Sequence, residues 1–99
     1  MRSSEIRARP STEEDGRIIK KIIDRHADKL PDGFKRIDFE FGEDSTGDPA
    51  VRVFLVAADD RAPTKEQAGA VDELADALRS EILAARTDHW PYVGIRVER

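Results

Sequence analysis

The stretch FKRIDFEFGEDSTGDPAVRVFLVA, residues 34–57, decides the fold, because two runs of alternating residues flank a turn-rich centre. The first run places apolar and charged side chains in strict alternation: Ile37, Phe39 and Phe41 against Arg36, Asp38 and Glu40. Alternation with a period of two is typical of a half-buried β-strand. The centre, 42–49, is rich in glycine, proline and acidic residues, and it predicts a hairpin loop of about seven residues.

The second run predicts a strand over 50–57 in which neither face is purely polar. Val51, Val53 and Leu55 occupy one face, and Arg52, Phe54 and Val56 occupy the other. If helices cover the first face, Phe54 and Val56 project from an uncovered side of the sheet. Contiguous exposed apolar area is typical of an interaction surface.

A helix is predicted on the N-terminal side of the hairpin. Ser11 with Glu14 fits a capping box, and the helix runs to about Leu30, before Pro31 and Gly33 turn the chain. Its apolar residues recur at the helical period: Ile18, Ile19, Ile22, Ile23, Ala27 and Leu30.

A longer helix is predicted on the C-terminal side, where Thr64 and Gln67 form a second capping box. Its core face consists of Ala68, Val71, Leu74, Ala75, Leu78, Ile82 and Ala85. The helix ends near Thr87, and a last strand follows over 92–98. This strand turns Val93, Ile95 and Val97 toward the helices.

These elements predict an α+β protein of order α-β-β-α-β. We expect a two-layer sandwich in which two helices pack on one face of a three-stranded sheet, with a right-handed crossover before the last strand. Residues 11–99 form one domain, and residues 1–10, with three arginines, form a flexible N-terminal arm. The pattern leaves open whether the last strand pairs with the first or the second.

Composition narrows the classes of function. The 99 residues have a net charge of -4 and contain no cysteine, so disulfides, thiolate nucleophiles and cysteine-bound zinc are excluded. The acidic balance disfavours nucleic acid as the main partner. No apolar segment follows the N-terminal arginines, which predicts no membrane association and a cytoplasmic location.

Candidate catalytic residues are few. His26 is predicted to be solvated or to cap the first helix, and His89 stands in a turn beside Asp88. Sequence adjacency does not make a base and its orienting carboxylate, so an enzyme with His89 as base is the weakest alternative. No nucleophile elbow, phosphate loop or calcium-loop pattern is present. We therefore predict a protein that is not an enzyme and has no cofactor and no metal site.

The leading hypothesis is a non-catalytic protein-interaction module, homodimeric through the uncovered sheet face or edge. The residues predicted to bind the partner are Phe54, Val56, Trp90, Tyr92, Arg52 and Arg96. In the opposing arrangement, Trp90 folds over the end of the core and Phe54 lies among the aliphatic stems of Arg36, Arg52 and Arg96. The identity of a protein partner is left open.

Two architectures offer resemblances. Residues 51–98 resemble the small cytoplasmic domain of cation diffusion facilitator transporters in their order of strand, long helix and acidic-ended strand. That family has metal-binding histidines in this domain, whereas Thr64 to Ala68 here contain none. The stretch Ala77 to Ile82 and the strand after it are similar to ribosome-binding factor A, a KH-like protein associated with RNA, although the Gly-x-x-Gly clamp of KH domains is absent.

The second resemblance implies an alternative function, a KH-like protein that binds single-stranded RNA. Its candidate contacts are Arg2, Arg7, Arg9, Arg36, Arg52 and Arg96. A lesser alternative is an antitoxin or an accessory subunit of a partner enzyme, which the acidic charge would suit.

Overall fold

The structure is a computed structural model that describes residues 12–61 and 63–98. Its elements are α1 (Thr12–His26), a 3₁₀ turn (Ala27–Lys29), β1 (Phe34–Glu43), β2 (Pro49–Ala57), α2 (Lys65–Ala84) and β3 (Trp90–Val97). The predicted α+β class and the order of elements are confirmed. The predicted arm 1–10 and the Ser11 capping box lie outside the described residues.

The β1–β2 hairpin is longer, and its loop shorter, than the sequence predicts. Asp44 closes the loop, because its Oδ1 accepts hydrogen bonds from the backbone N–H of Thr46 at 2.9 Å and of Asp48 at 3.0 Å. Gly47 lies in the left-handed region with φ of 86°, which glycine adopts without strain. A side chain that mimics a backbone turn therefore lets the strands extend to Glu43 and Pro49.

The capping box at the start of α2 is confirmed. Thr64 Oγ1 accepts from the Gln67 backbone N–H at 3.1 Å, and Gln67 Oε1 accepts from the Thr64 N–H at 2.9 Å. Two backbone donors that lack partners inside the helix are thereby satisfied. At the other helix, the regular α-helical part ends at His26, earlier than Leu30.

The sheet has the order β1-β2-β3. β1 pairs with β2 in antiparallel fashion, and β2 pairs with β3 in parallel fashion. The partner of the last strand is therefore β2, which is central. Both β1 and β3 are edge strands among the described residues.

The hydrophobic core joins both helices to one face of β2. Its buried members are Ile19, Ile22 and Ile23 of α1, Val51, Val53 and Leu55 of β2, and Val71, Leu74, Leu78 and Ile82 of α2. The three β2 residues alternate along the strand, so they share one face. Each fully buried aliphatic side chain of this kind contributes about 1.5–3 kcal/mol.

In the part of the chain that the structure describes, neither helix combines the length and the apolar character that a bilayer span requires.

Candidate functional site

The large apolar side chains that stay exposed are concentrated at one edge of the molecule. Among the described residues they are Leu83, Trp90, Tyr92, Ile95 and Val97, each between 40% and 55% exposed. Four of the five belong to β3, and Leu83 lies in the last turn of α2. An edge strand with exposed apolar side chains is a ready template for pairing with another chain.

Ile95 and Val97 lie in register with Leu55 and Ala57 and face the helix side of the sheet as expected, but they are not buried there. Val93 packs against the core, but the other two are about half exposed. The helices cover the centre of the sheet, where Val53 and Leu55 are fully buried, and leave the end of the edge strand open. There, Ile95 and Val97 line a hollow of about 420 Å³.

The free edge of β3 presents the backbone groups of its odd-numbered residues. Glu98 N–H donates to Ala57 O at 2.9 Å, so the even-numbered residues point their N–H and C=O groups at β2. Backbone groups alternate along a strand, and those of Val93, Ile95 and Val97 therefore point outward. Pro91 belongs to the same outward set, where its missing N–H costs no hydrogen bond to β2.

The face of the sheet that carries Phe54 was predicted to be uncovered, but arginine side chains cover part of it. The guanidinium of Arg96 lies 3.9 Å above the centre of the Phe54 ring and also pairs with Glu40 at 3.6 Å. Phe54 is half buried beneath this arginine, which agrees with the alternative in which arginine side chains cover it. Arg52 is also engaged, because its Nη2 donates to the Glu43 backbone carbonyl at 2.8 Å.

The expectation that Val56 projects into solvent is wrong, because it is 0% exposed. Val56 lies in register with Arg36 on β1 and Arg96 on β3, and Arg36 reaches across to the carboxylate of Glu98. The long side chains of this ion pair bury the valine between the two outer strands.

The Arg36–Glu98 pair dominates the electrostatics of this face. Arg36 Nη1 donates to Glu98 at 2.9 Å, a second guanidinium nitrogen binds the other carboxylate oxygen, and Lys35 lies 3.2 Å from the same group. The hydrogen bonds from Arg36 and then Lys35 lower the pKa of Glu98 to about 2. The hydrogen bonds that Arg36 donates to Glu98 and then to Asp38 raise the already high pKa of Arg36.

Trp90 and Tyr92 form an exposed corner at the start of β3. Trp90 is 55% exposed and does not fold over the core. The hydroxyl of Tyr92 donates to Asp44 Oδ2 at 3.3 Å, and partial burial followed by the charge of Asp44 raises the pKa of Tyr92. Both side chains line a cleft of about 520 Å³ with Leu83 and His89.

His89 has a buried carboxylate partner that the sequence did not indicate. Its Nδ1 lies 2.7 Å from Asp15 Oδ2, and the same oxygen accepts the Asp88 backbone N–H at 2.9 Å. The ring of Phe41 packs against the imidazole at a centroid distance of 4.4 Å. The partner is therefore Asp15, in the first turn of α1, and not the adjacent Asp88.

The prediction of a solvated or capping His26 is wrong. His26, the last residue of α1, is buried, and its Nε2 pairs with Glu81 of α2. Arg25 binds the other carboxylate oxygen of Glu81. The hydrogen bonds from Arg25 and then His26 lower the pKa of Glu81. His26 Nδ1 is buried and has no hydrogen-bond partner among residues 12–61 and 63–98. The polar flank of α1 meets a polar residue of α2, which the pattern of one helix alone does not show.

Across 12–61 and 63–98, no cluster of three or more His, Asp or Glu side chains is arranged to hold a metal ion. Comparison with protein families, curated proteins and solved structures finds no match to this chain.

Proposed function

We propose that this chain is a small, non-catalytic protein-interaction module that associates with itself through the free edge of β3. The observation that carries the proposal is the coincidence of two features on one strand. β3 has an unpaired edge among the described residues, and it holds four of their five exposed large apolar side chains. Each feature alone favours association, and both belong to the same strand, with Ile95 and Val97 on the helix side of the sheet and Trp90 and Tyr92 on the other.

The edge is a better candidate than the sheet face. On the face, Phe54 lies under Arg96, Val56 is fully buried, and ion pairs link β1 to β3. On the edge, no described residue covers Ile95 and Val97 in this way, and both are about half exposed. The proposal takes both helices to lie on the face of the sheet opposite Phe54 and Val56. The core that the helices share with Val51, Val53 and Leu55 supports this placement.

A second copy is the simplest partner, because closed twofold dimers are the commonest oligomers. A cytoplasmic location belongs to the same proposal, since a chain without cysteine needs no oxidising compartment. RNA binding has less support in the described residues. Arg36, Arg52 and Arg96 already contact carboxylates, a carbonyl or an aromatic ring, which leaves little uncompensated charge for a phosphate backbone.

Sedimentation equilibrium on the purified chain tests the proposal. We expect a reversible dimer at tens of micromolar that Ile95→Lys and Val97→Lys each dissociate, because a charge then lies in the apolar edge. Phe54→Ala is the matched control on the sheet face, and it should leave the dimer intact. A strictly monomeric wild-type chain would overturn the proposal, as would a dimer that only the Phe54 variant dissociates.

A further inference from the structure

We infer that two copies join their β3 strands in antiparallel pairing about a twofold axis at Gly94. The pairing builds one continuous sheet from the three strands of each copy. The inference rests on the proposed self-association and specifies its partner strand and its register.

Backbone geometry supports the pairing first. The outward donors of β3 belong to Val93, Ile95 and Val97, as the Glu98 to Ala57 hydrogen bond fixes. With the axis at Gly94, Val93 lies opposite Ile95 of the second copy, and the two residues exchange both N–H···O=C bonds. Val97 N–H meets the carbonyl of Pro91 of the second copy. The missing N–H of Pro91 therefore removes a bond only at each end of the pairing.

Gly94 supports the position of the axis. A Cβ at this residue would have no heavy atom within 4 Å, and its φ is outside the left-handed region, so nothing in the described single chain requires glycine. A glycine inside a strand commonly marks the close approach of another backbone. At the axis, Gly94 would face itself in a non-hydrogen-bonded pair, where opposite Cα atoms are about 4.5 Å apart.

The side chains agree with the same register. Residues directly opposite in an antiparallel pair share one face of the sheet. On the helix side, the half-exposed Ile95 meets Val93, which packs against the core, and the half-exposed Val97 meets the buried Pro91, so each exposed residue lies against an apolar residue of the second copy. On the other side, Tyr92 lies opposite Arg96 of the second copy, whose guanidinium also lies over Phe54, and an aromatic ring beside a guanidinium is a favourable pair.

Neighbouring registers are poorer. The helices of both copies lie on the same side of the joint sheet only if odd residues oppose odd residues and even residues oppose even ones. The nearest alternative registers therefore place the twofold axis at Val93 or at Ile95. With the axis at Ile95, Trp90 has no residue of the second copy's β3 opposite it. With the axis at Val93, the same is true of Glu98. The axis at Gly94 sets the whole range 90–98 against itself.

Charge favours a second copy as the occupant over an unrelated strand. Within 90–98 the only charged side chains are Arg96 and Glu98. In the proposed register Arg96 lies opposite Tyr92, and Glu98 lies opposite Trp90. No like charges oppose one another, so the edge lacks the repulsion with which many proteins protect such strands.

Disulfide cross-linking tests the register, since the natural chain contains no cysteine. The variants are Val93→Cys, Gly94→Cys and Ile95→Cys, each oxidised mildly in the wild-type-like dimer and resolved without reductant. We expect Gly94→Cys to cross-link at least about tenfold faster than the other two, because cysteines with Cα atoms beyond about 7 Å cannot be bridged. Far-UV circular dichroism checks that each variant is folded.

A mixture of Tyr92→Cys and Arg96→Cys provides an independent measurement that leaves Gly94 unchanged. We expect the mixture to cross-link and each variant alone to cross-link much more slowly. Faster cross-linking at Val93 or Ile95, or none in any variant of a dimeric chain, would overturn this register while leaving the proposed self-association in place. A monomeric wild-type chain would overturn both.

Discussion

Asp15 and His89 lie 74 positions apart in the chain and form a buried hydrogen bond of 2.7 Å between Oδ2 and Nδ1. The bond ties the first turn of α1 to the loop before β3. Asp15 also accepts the backbone N–H of Asp88, so one carboxylate holds the loop from which the proposed binding strand begins. The pair thus attaches the start of the edge strand to α1.

Replacement of Asp15 should destabilise the fold. Asp15→Ala leaves the buried Nδ1 of His89 without its carboxylate and removes the acceptor of the partly buried Asp88 N–H, and we expect the free energy of unfolding to fall by about 2 to 3 kcal/mol. Urea unfolding followed by Trp90 fluorescence measures the change. Asp24→Ala is the control on the same helix, because the Asp24–Lys20 pair is exposed and should contribute less than about 0.5 kcal/mol. Equal losses in the two variants would contradict a structural role for Asp15.

The contact between His26 and Glu81 predicts unequal effects of replacing its two members. Glu81→Ala removes the only hydrogen-bond partner that a buried imidazole has among the described residues, and we expect a loss of about 1 to 2 kcal/mol in the free energy of unfolding. His26→Leu removes the buried Nδ1 that has no hydrogen-bond partner and leaves Glu81 with Arg25, so it should change stability by less than about 1 kcal/mol. Thermal unfolding of both variants compares them, and a larger loss for His26→Leu would show that the imidazole contributes more than its environment indicates.

The ion-paired carboxylate of Glu98 should make the stability of the folded protein depend on pH in acid. Its pKa falls from 4.5 to about 2 in the folded chain, because Arg36 and Lys35 donate to the carboxylate. A depressed folded pKa stabilises the protein above pH 4.5, and the contribution disappears as the pH falls from 4.5 toward 2. The group is substantially exposed, so salt weakens the effect.

Carbon-detected NMR titration of the Glu98 carboxyl measures its pKa directly. We expect Arg36→Gln to return the pKa toward 4.5, since the guanidinium is the principal cause of its depression. Arg79→Gln removes an exposed arginine that pairs with Asp76 on α2 and should leave the pKa of Glu98 unchanged. An Arg36 variant with an unaltered Glu98 titration would mean that the ion pair does not form in solution.

The sequence predicted the elements and their order because each depends on local chemistry. The alternation around Phe39 and Val53 identifies the strands, and the Thr64–Gln67 capping box marks the start of α2. The partner of β3 was not predictable, since pairing with β1 or β2 satisfies the same alternation. The length of the hairpin loop depended on the hydrogen bonds of one side chain, that of Asp44.

The candidate surface was predicted only in part, because exposure depends on which residues meet in space. Trp90 and Tyr92 are exposed as expected, but Val56 is buried by the ion pair between Arg36 of β1 and Glu98, the residue after β3, which lie 62 positions apart. Ile95 and Val97 face the helices as predicted, but alternation does not show how far the helices extend, and both residues are about half exposed. The partners of His26 and His89 were not predicted, because Glu81 and Asp15 are distant from them in the sequence and meet them only in the fold.

Hydrogen exchange at the backbone amides of β3 tests the dimer through this edge most directly. The N–H groups of Val93, Ile95 and Val97 point outward, whereas those of Gly94 and Arg96 point at β2. We expect the three outward amides to exchange rapidly in dilute protein and to become protected as the concentration rises, while the inward amides stay protected throughout. Rapid exchange of the outward amides at every concentration would contradict association through β3.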